Sequence, residues 1–161
     1  MSAVTDQLMK LGVTYEVISH EQAYTSIDEA LALGISADEV LKTIVLITKA
    51  GHALAVIPGS RRLDVRAAQR AVGTRHVRLA AEEEMETDFP SYELGAMPPL
   101  GSLHGAPTYV DAEVMRHDTV VFAAGTQTES VRVRTEDLFR NEPVIVATLT
   151  RLSEAEERLV E

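Results

Sequence analysis

Two short apolar runs, residues 43–48 (TIVLIT) and 53–58 (ALAVIP), stand four residues apart and are joined by Lys49-Ala50-Gly51-His52. Apolar runs of strand length on either side of a glycine-containing turn predict a β-hairpin with both strands largely buried. Everything else in the chain has to be arranged around that hairpin. Helices interleave irregularly with further short strands, which argues for a mixed sheet with helices around it, not a doubly wound parallel fold.

The flanking elements follow from local chemistry. Residues 4–11 read as a short helix stopped by Gly12, and Tyr15, Val17 and Ile18 as a strand. Ser26-Ile27-Asp28-Glu29 is a capping-box pattern that opens a helix ending at Gly34. Ser36 and Asp38 start a further turn with Lys42 at its end. Residues 63–72, with Leu63, Val65, Ala67, Ala68, Ala71 and Val72 near helical spacing, predict a helix ended by Gly73. A strand over 76–80 and a helix over 81–88, acidic in its first turn, come next. Strands are expected over 108–110, 120–124, 131–133 and 144–149, and a terminal helix over 153–160 behind a second capping box.

At 161 residues the chain has the size of one domain. A 45% hydrophobic content excludes wholesale disorder, and no apolar run approaches the roughly 20 residues of a membrane span. The N-terminus carries Asp6 and no apolar signal core, so a cytoplasmic protein is expected. With no cysteine, disulfides, iron–sulfur clusters, thiolate zinc sites and cysteine nucleophiles are all ruled out.

The net charge of −10 argues against generic DNA binding, which depends on neutralising phosphates. The charge is uneven, however. Residues 61–80 hold Arg61, Arg62, Arg66, Arg70, Arg75 and Arg78 against Asp64 alone, a local +5 on a remainder of −15. A basic island of this kind is either a local nucleic-acid contact or the solvated face of a helix paired with nearby glutamates.

Several chemistries close quickly. There is no Walker phosphate loop and no GxGxxG, and the run 101–105 (GSLHG) lacks the GxSxG spacing of a nucleophile elbow. His20, His52, His76, His104 and His117 are too scattered for a sequence-local zinc site, so no metal and no cofactor are expected. Residues 95–101 (GAMPPLG) have glycines at both ends and two prolines between. Such a rigid loop is either a plain surface turn or a presenter of amides to a carbonyl or oxyanion. Lys42, a charge set against an apolar strand, either snorkels to the surface or points into a cleft that wants a cation.

Five segments in register, VLKTIVL (40–46), AVIPGSRRLDV (55–65), ELGAMPPLG (93–101), TYVDAEV (108–114) and FAAGTQTESVRVRTEDLFR (122–140), resemble the YbaK/EbsC family. Its members are stand-alone relatives of the editing domain inserted in bacterial prolyl-tRNA synthetases. The resemblance runs from about Val13 to Arg140. It implies a mixed α/β fold around a partly closed sheet and hydrolysis of the ester joining a mischarged small amino acid to tRNA. On this reading Lys42 holds the tRNA end. Gly95 opens a GxxxP loop, completed by Pro99, whose amide faces the aminoacyl carbonyl. Asp111 matches the aspartate after the next strand and Gly125 the glycine of the last matched turn. His20 and Thr25 match an HxxxxT pattern bordering the pocket, and Gly101 closes the Gly95 loop on the substrate side. Glu129 stands where many relatives carry histidine, and this departure bears on substrate choice; it is either in a turn beside the pocket, where its carboxylate would meet an α-ammonium group, or an exposed glutamate at a strand edge.

An aminoacyl ester is already activated, so such a site needs to orient water and polarise a carbonyl without a protein nucleophile. The partner implied is the acceptor end of a mischarged tRNA, gripped by Lys42 and by Arg61, Arg62 and Arg66. Neither DNA nor a membrane is expected, and the protein would be a monomer or homodimer. Two other readings stay open: a non-catalytic member binding a tRNA end, nucleotide or protein, and a general small-molecule esterase.

Overall fold

The computed structural model describes residues 2–151, so the helix expected over 153–160 lies outside the described residues. Helix α1 (Ala3–Lys10) starts on a reciprocal Ser2–Thr5 cap and buries Val4 and Leu8, one turn apart. Strand β1 (Tyr15–Ser19) leads through a loop to α2 (Ser26–Leu33), which ends at Gly34 in the left-handed conformation (φ 67°). Here the structure departs from the expected capping box. Thr25, not Ser26, is the N-cap and accepts the Asp28 amide at 3.1 Å. Glu29 consequently does not reach back to the cap. It turns inward and is 4% exposed.

A single 3-10 turn precedes the hairpin of β2 (Leu41–Thr48) and β3 (Gly51–Pro58), paired without a break from Leu41↔Pro58 to Thr48↔Gly51. The first strand begins two residues before the apolar run, so Lys42 is part of it. Strand β4 (Arg62–Leu63) takes Leu63 out of the expected helix, and α3 (Val65–Val72) starts at Asp64, whose carboxylate accepts the Arg66 and Ala67 amides. Strand β5 (Val77–Leu79), helix α4 (Glu82–Asp88) and β6 (Thr108–Asp111) follow. After β7 (Thr119–Ala123) and β8 (Glu129–Arg134) comes α5 (Thr135–Asn141), a helix the sequence pattern did not announce. It springs directly from the strand with no glycine or proline between, where the Thr135 amide leaves the ladder for the Asp118 carbonyl at 3.0 Å. Strands β9 (Ile145–Ala147) and β10 (Thr150–Arg151) complete the described chain.

The hairpin forms the centre of a mixed five-stranded sheet in the order β5-β2-β3-β6-β9, with β3–β6 and β6–β9 parallel. A second, antiparallel sheet, β1-β8-β7, meets the first at an isolated Val40–Val121 bridge. The two sheets curl toward each other without closing into a barrel, as expected from the resemblance.

Alternation along the hairpin sorts the interior into layers. Ile44, Leu46, Ala55 and Ile57 face Ala68 of α3. Val45 and Leu54 face Phe89 and Met97 on the opposite side. Leu41 and Val56, on that same side, join the core shared with α1, α5 and the second sheet. Residues 53–58 are buried throughout, which is why this run carries hardly a polar atom.

Candidate active site

On the Val45 face of the sheet lies a cleft of about 280 Å³. Thr43 and Val45 of β2 form its floor, Met85 and Phe89 one wall, and Tyr92, Leu94, Gly95 and Met97 the other. The volume is near the lower end for a small-molecule site. Three carboxylates, Glu82, Glu86 and Glu93, line it as well. Among the described residues, Thr43 Oγ1 is a buried hydroxyl with no hydrogen-bond partner.

Gly95 sits at the lip. Its φ of 79° is open to glycine and strained for other residues. A β-carbon there would stand 2.3 Å from the Tyr24 carbonyl oxygen. The neighbouring Ala96 amide is taken by the Glu93 carbonyl at 3.0 Å. The exposed Gly95 amide meets no acceptor among the described residues.

Three loops distant in sequence converge here, and Gln127, 8% exposed, ties them together. Its side-chain amide donates to the Leu94 carbonyl at 2.9 Å, and its Oε1 accepts from Gln22 Nε2 at 2.8 Å. Its backbone N–H reaches Glu93 Oε1 at 3.1 Å, and its carbonyl accepts the Ala23 amide at 2.8 Å. The His20–Thr25 loop, the Gly95–Pro99 loop and the Gly125 turn are therefore one assembly. Sequence reading missed Gln127, because a glutamine between threonines carries no mark of a hub. Thr43 and Tyr24 escaped for the same reason.

Tyr92 backs the cleft wall and packs under Gly125, whose added β-carbon would meet the ring at 3.1 Å. The Tyr92 hydroxyl lies 2.8 Å from His104 Nε2. Burial, and to a lesser degree the charge of His52, lower the His104 pKa, while burial raises that of Tyr92, so both groups are favoured in their neutral forms. Phe89 is packed edge-on between His52 and His104, each ring 5.0 Å away.

The sequence-derived site residues divide into two groups. His20, Thr25, Gly95, Pro99 and Gly125 belong to the converged loops. Within that group Thr25 serves as the α2 cap and Pro99 is buried behind Gly95. Lys42 is exposed on the sheet face opposite Thr43 and Val45. Asp111 lies away from the cleft with its carboxylate fully engaged: it accepts the Glu113 amide at 2.9 Å, the Leu149 amide at 2.8 Å and the Thr150 hydroxyl at 3.1 Å. It holds the β9–β10 connection to the sheet. Gly101 is buried, with the Ala106 carbonyl against its Cα.

Of the two readings of Glu129, the structure shows the exposed glutamate at a strand edge. Glu129 is the first residue of β8, exposed, beside Ser2, Thr5, Tyr15 and Val17 on the outer surface. Strand alternation sends Ser130, not Glu129, to the interior.

The arginine island splits as well. Arg61 is drawn inward to Glu113 (3.9 Å) and Thr150 (3.4 Å). Arg78 pairs with Glu84 at 2.6 Å, and that bond holds the Glu84 carboxyl at about 2. Arg62 is exposed in β4, while Arg66, Arg70 and Arg75 surround one shallow hollow at the end of α3.

Comparison with known proteins agrees with this architecture. The aminoacyl-tRNA editing domain matches residues 20–140. A protein of Enterococcus faecalis, provisionally named as the Cys-tRNA(Pro)/Cys-tRNA(Cys) deacylase EbsC, is 28% identical over 123 residues, 76% of this chain and 74% of its own. The crystal structure of a protein provisionally described as a trans-editing enzyme for prolyl tRNA synthetase superposes with a TM-score of 0.81 at 25% identity, covering 94% of this chain and 99% of the other. A hypothetical protein of the same fold reaches a TM-score of 0.84 at 24% identity, over 92% and 99%. The matched family and these relatives mark the chain as a hydrolase acting on aminoacyl-tRNA. The chain belongs to the aminoacyl-tRNA editing domain family. Among the described residues no helix is long and apolar enough to cross a membrane.

Proposed function

We propose that the protein acts in trans on mischarged tRNA, releasing a small amino acid from the acceptor end. The observation that carries this reading is the free Gly95 amide at the lip of a cleft of about 280 Å³. An ester carbonyl placed over Gly95 receives that N–H, and water adds to the carbonyl carbon. The bond to the ribose oxygen then breaks, leaving a free amino acid and an intact tRNA hydroxyl. A preorganised donor aimed at the developing oxyanion is the largest single contribution such a site can make.

The amino acid is received in the cleft over Thr43 and Val45. Glu82, Glu86 and Glu93 suit the α-ammonium of the aminoacyl group, the part first assigned to Glu129. Tyr24, exposed and with its carbonyl against Gly95, offers a stacking surface to the terminal base. Lys42, Arg62 and Arg66 supply cations for phosphates from outside the cleft. Asp111 works by holding the sheet together.

The test is deacylation of a panel of mischarged tRNAs by the purified protein. Hydrolysis above the free-ester rate, fastest for small amino acids and dependent on the tRNA body, is the expected outcome. Binding without turnover would establish the non-catalytic reading, and turnover independent of tRNA a general esterase.

A further inference from the structure

Glu29, Ser130 and His20 form a chain that the reaction itself does not use. Glu29 is 4% exposed and Ser130 fully buried. The Ser130 hydroxyl contacts a Glu29 carboxyl oxygen and, at 2.7 Å, His20 Nε2. His20 Nδ1 lies 2.7 Å from the Glu21 carbonyl oxygen. The group contains the residue types of a nucleophilic triad, but the serine is in the middle and sealed from solvent, so it attacks nothing.

The hydrogen-bond inventory limits the protons this chain can hold. A carbonyl only accepts, so Nδ1 carries a proton. Ser130 has one proton to give and two neighbours to satisfy. If it donates to a Glu29 carboxylate, Nε2 must be protonated and His20 is an imidazolium. If it donates to a bare Nε2, Glu29 must be a carboxylic acid. Both arrangements hold the same number of protons and the same net charge. They interconvert when one proton passes from Nε2 to Oγ as another passes from Oγ to Glu29. Removing one proton leaves a neutral ring and a carboxylate competing for a single hydroxyl, and one link breaks.

We propose that this shared proton makes Glu29, Ser130 and His20 positioning residues, a clamp that holds the loop over Gly95. The loop they anchor runs from His20 to Tyr24, whose carbonyl packs on the Gly95 Cα. The His20 amide adds a bond to the Thr128 carbonyl at 2.9 Å. Glu29 is raised above its ordinary carboxyl value, first by burial, with Ser130 and then His20 opposing. A raised carboxyl favours the folded clamp in its protonated state, so the stabilisation is present at low pH and lost as pH rises through the folded value. The other charged groups on the elements around it, Glu21, Asp28, Glu129, Arg134 and the Glu16–Arg132 pair (3.7 Å), lie on exposed or half-exposed surface.

The inference rests on the proposed function for its kinetic consequence only, so its test has an arm without catalysis. Glu29→Gln is isosteric with the protonated acid: its amide donates to Ser130, which can then donate to a neutral His20 with no proton to lose at position 29. By NMR, protection of the Ala23 amide in the wild type should fall as pH rises, and in Glu29→Gln it should stay flat. In deacylation corrected for free-ester hydrolysis, the wild-type kcat/KM should fall about tenfold per pH unit above the clamp's titration, and Glu29→Gln should lose that alkaline arm. Ser130→Ala should be slow at all pH values. Ala23 protection independent of pH in the wild type, or equally pH-dependent in Glu29→Gln, would overturn the clamp whether or not the protein hydrolyses any tRNA.

Discussion

The carbonyl oxygen of Tyr24 stands against the Cα of Gly95, so close that an added β-carbon would lie 2.3 Å from it. The loop that presents the amide and the loop that roofs it are in van der Waals contact, and only glycine permits it. Backbone opposing backbone leaves no flexible atom to yield.

For Gly95→Ala, the left-handed φ costs about 1–2 kcal/mol, and the contact with Tyr24 displaces one of the two loops. Deacylation should drop by about 10²–10³-fold, the loss typical of one oxyanion donor. Single-turnover kinetics with folding checked by circular dichroism separates the two effects, and an unchanged rate would reduce the loop to an ordinary turn.

Gln127→Ala removes the bonds to Leu94 and Gln22 while leaving the backbone bonds to Glu93 and Ala23. The partners left behind, the Leu94 carbonyl and the Gln22 amide, belong to exposed residues, so the change in Tm should be small. With two of the four bonds that join the loops gone, turnover should fall by more than that change would suggest. A Tm shift with wild-type kcat would show that the hub supports the fold alone.

Lys42→Ala tests a cation that stands outside the cleft. Its exposure predicts almost no change in Tm. Loss of one charge-assisted contact of about 1.5–3 kcal/mol should instead raise KM for tRNA roughly tenfold or more. A lowered kcat with unchanged KM would mean that the ammonium reaches the ester after all.

The arginines separate by salt dependence. Each phosphate contact changes the slope of log affinity against log salt by about −0.7 to −0.9. Arg62→Ala and Arg66→Ala should flatten the slope by one contact each, whereas Arg78→Ala, already paired with Glu84, should leave it unchanged. Equal slopes in all three would make the island a solvated face.

Acid should act on the cleft wall through His104. Its folded pKa lies below the ordinary 6.5 because of burial and His52. The unfolded chain therefore binds the proton more readily, and stability falls as pH drops below 6.5. Protonation also takes the acceptor from Tyr92. In His104→Gln, whose side-chain oxygen still accepts, melting between pH 7.5 and pH 5 should fall less than in the wild type. Parallel curves would remove His104 from the acid response.

Much of the architecture was legible in the chain. The apolar runs 43–48 and 53–58 determine a buried hairpin because no other arrangement hides two such segments, and Gly12, Gly34 and Gly73 end helices where they were expected to. These are short-range properties, written in periodicity, caps and turns. The three loops that meet were marked by the family resemblance, through the HxxxxT pattern, Gly95–Pro99 and Gly125.

What tertiary structure alone decided is which residue on each element faces the site. Starting α2 at Thr25 instead of Ser26 turned Glu29 inward to Ser130, and a one-residue difference along β8 exchanged Glu129 for Ser130 at the interior. The same alternation put Thr43, not Lys42, on the floor of the cleft. Asp111 took a structural post because β9 and β10, nearly forty residues later, return to its carboxylate. Periods of 2 and 3.6 residues reverse a side chain's direction within one or two positions, while the partners that select the phase lie up to 110 residues away. The chain determined its elements; long-range packing chose their faces.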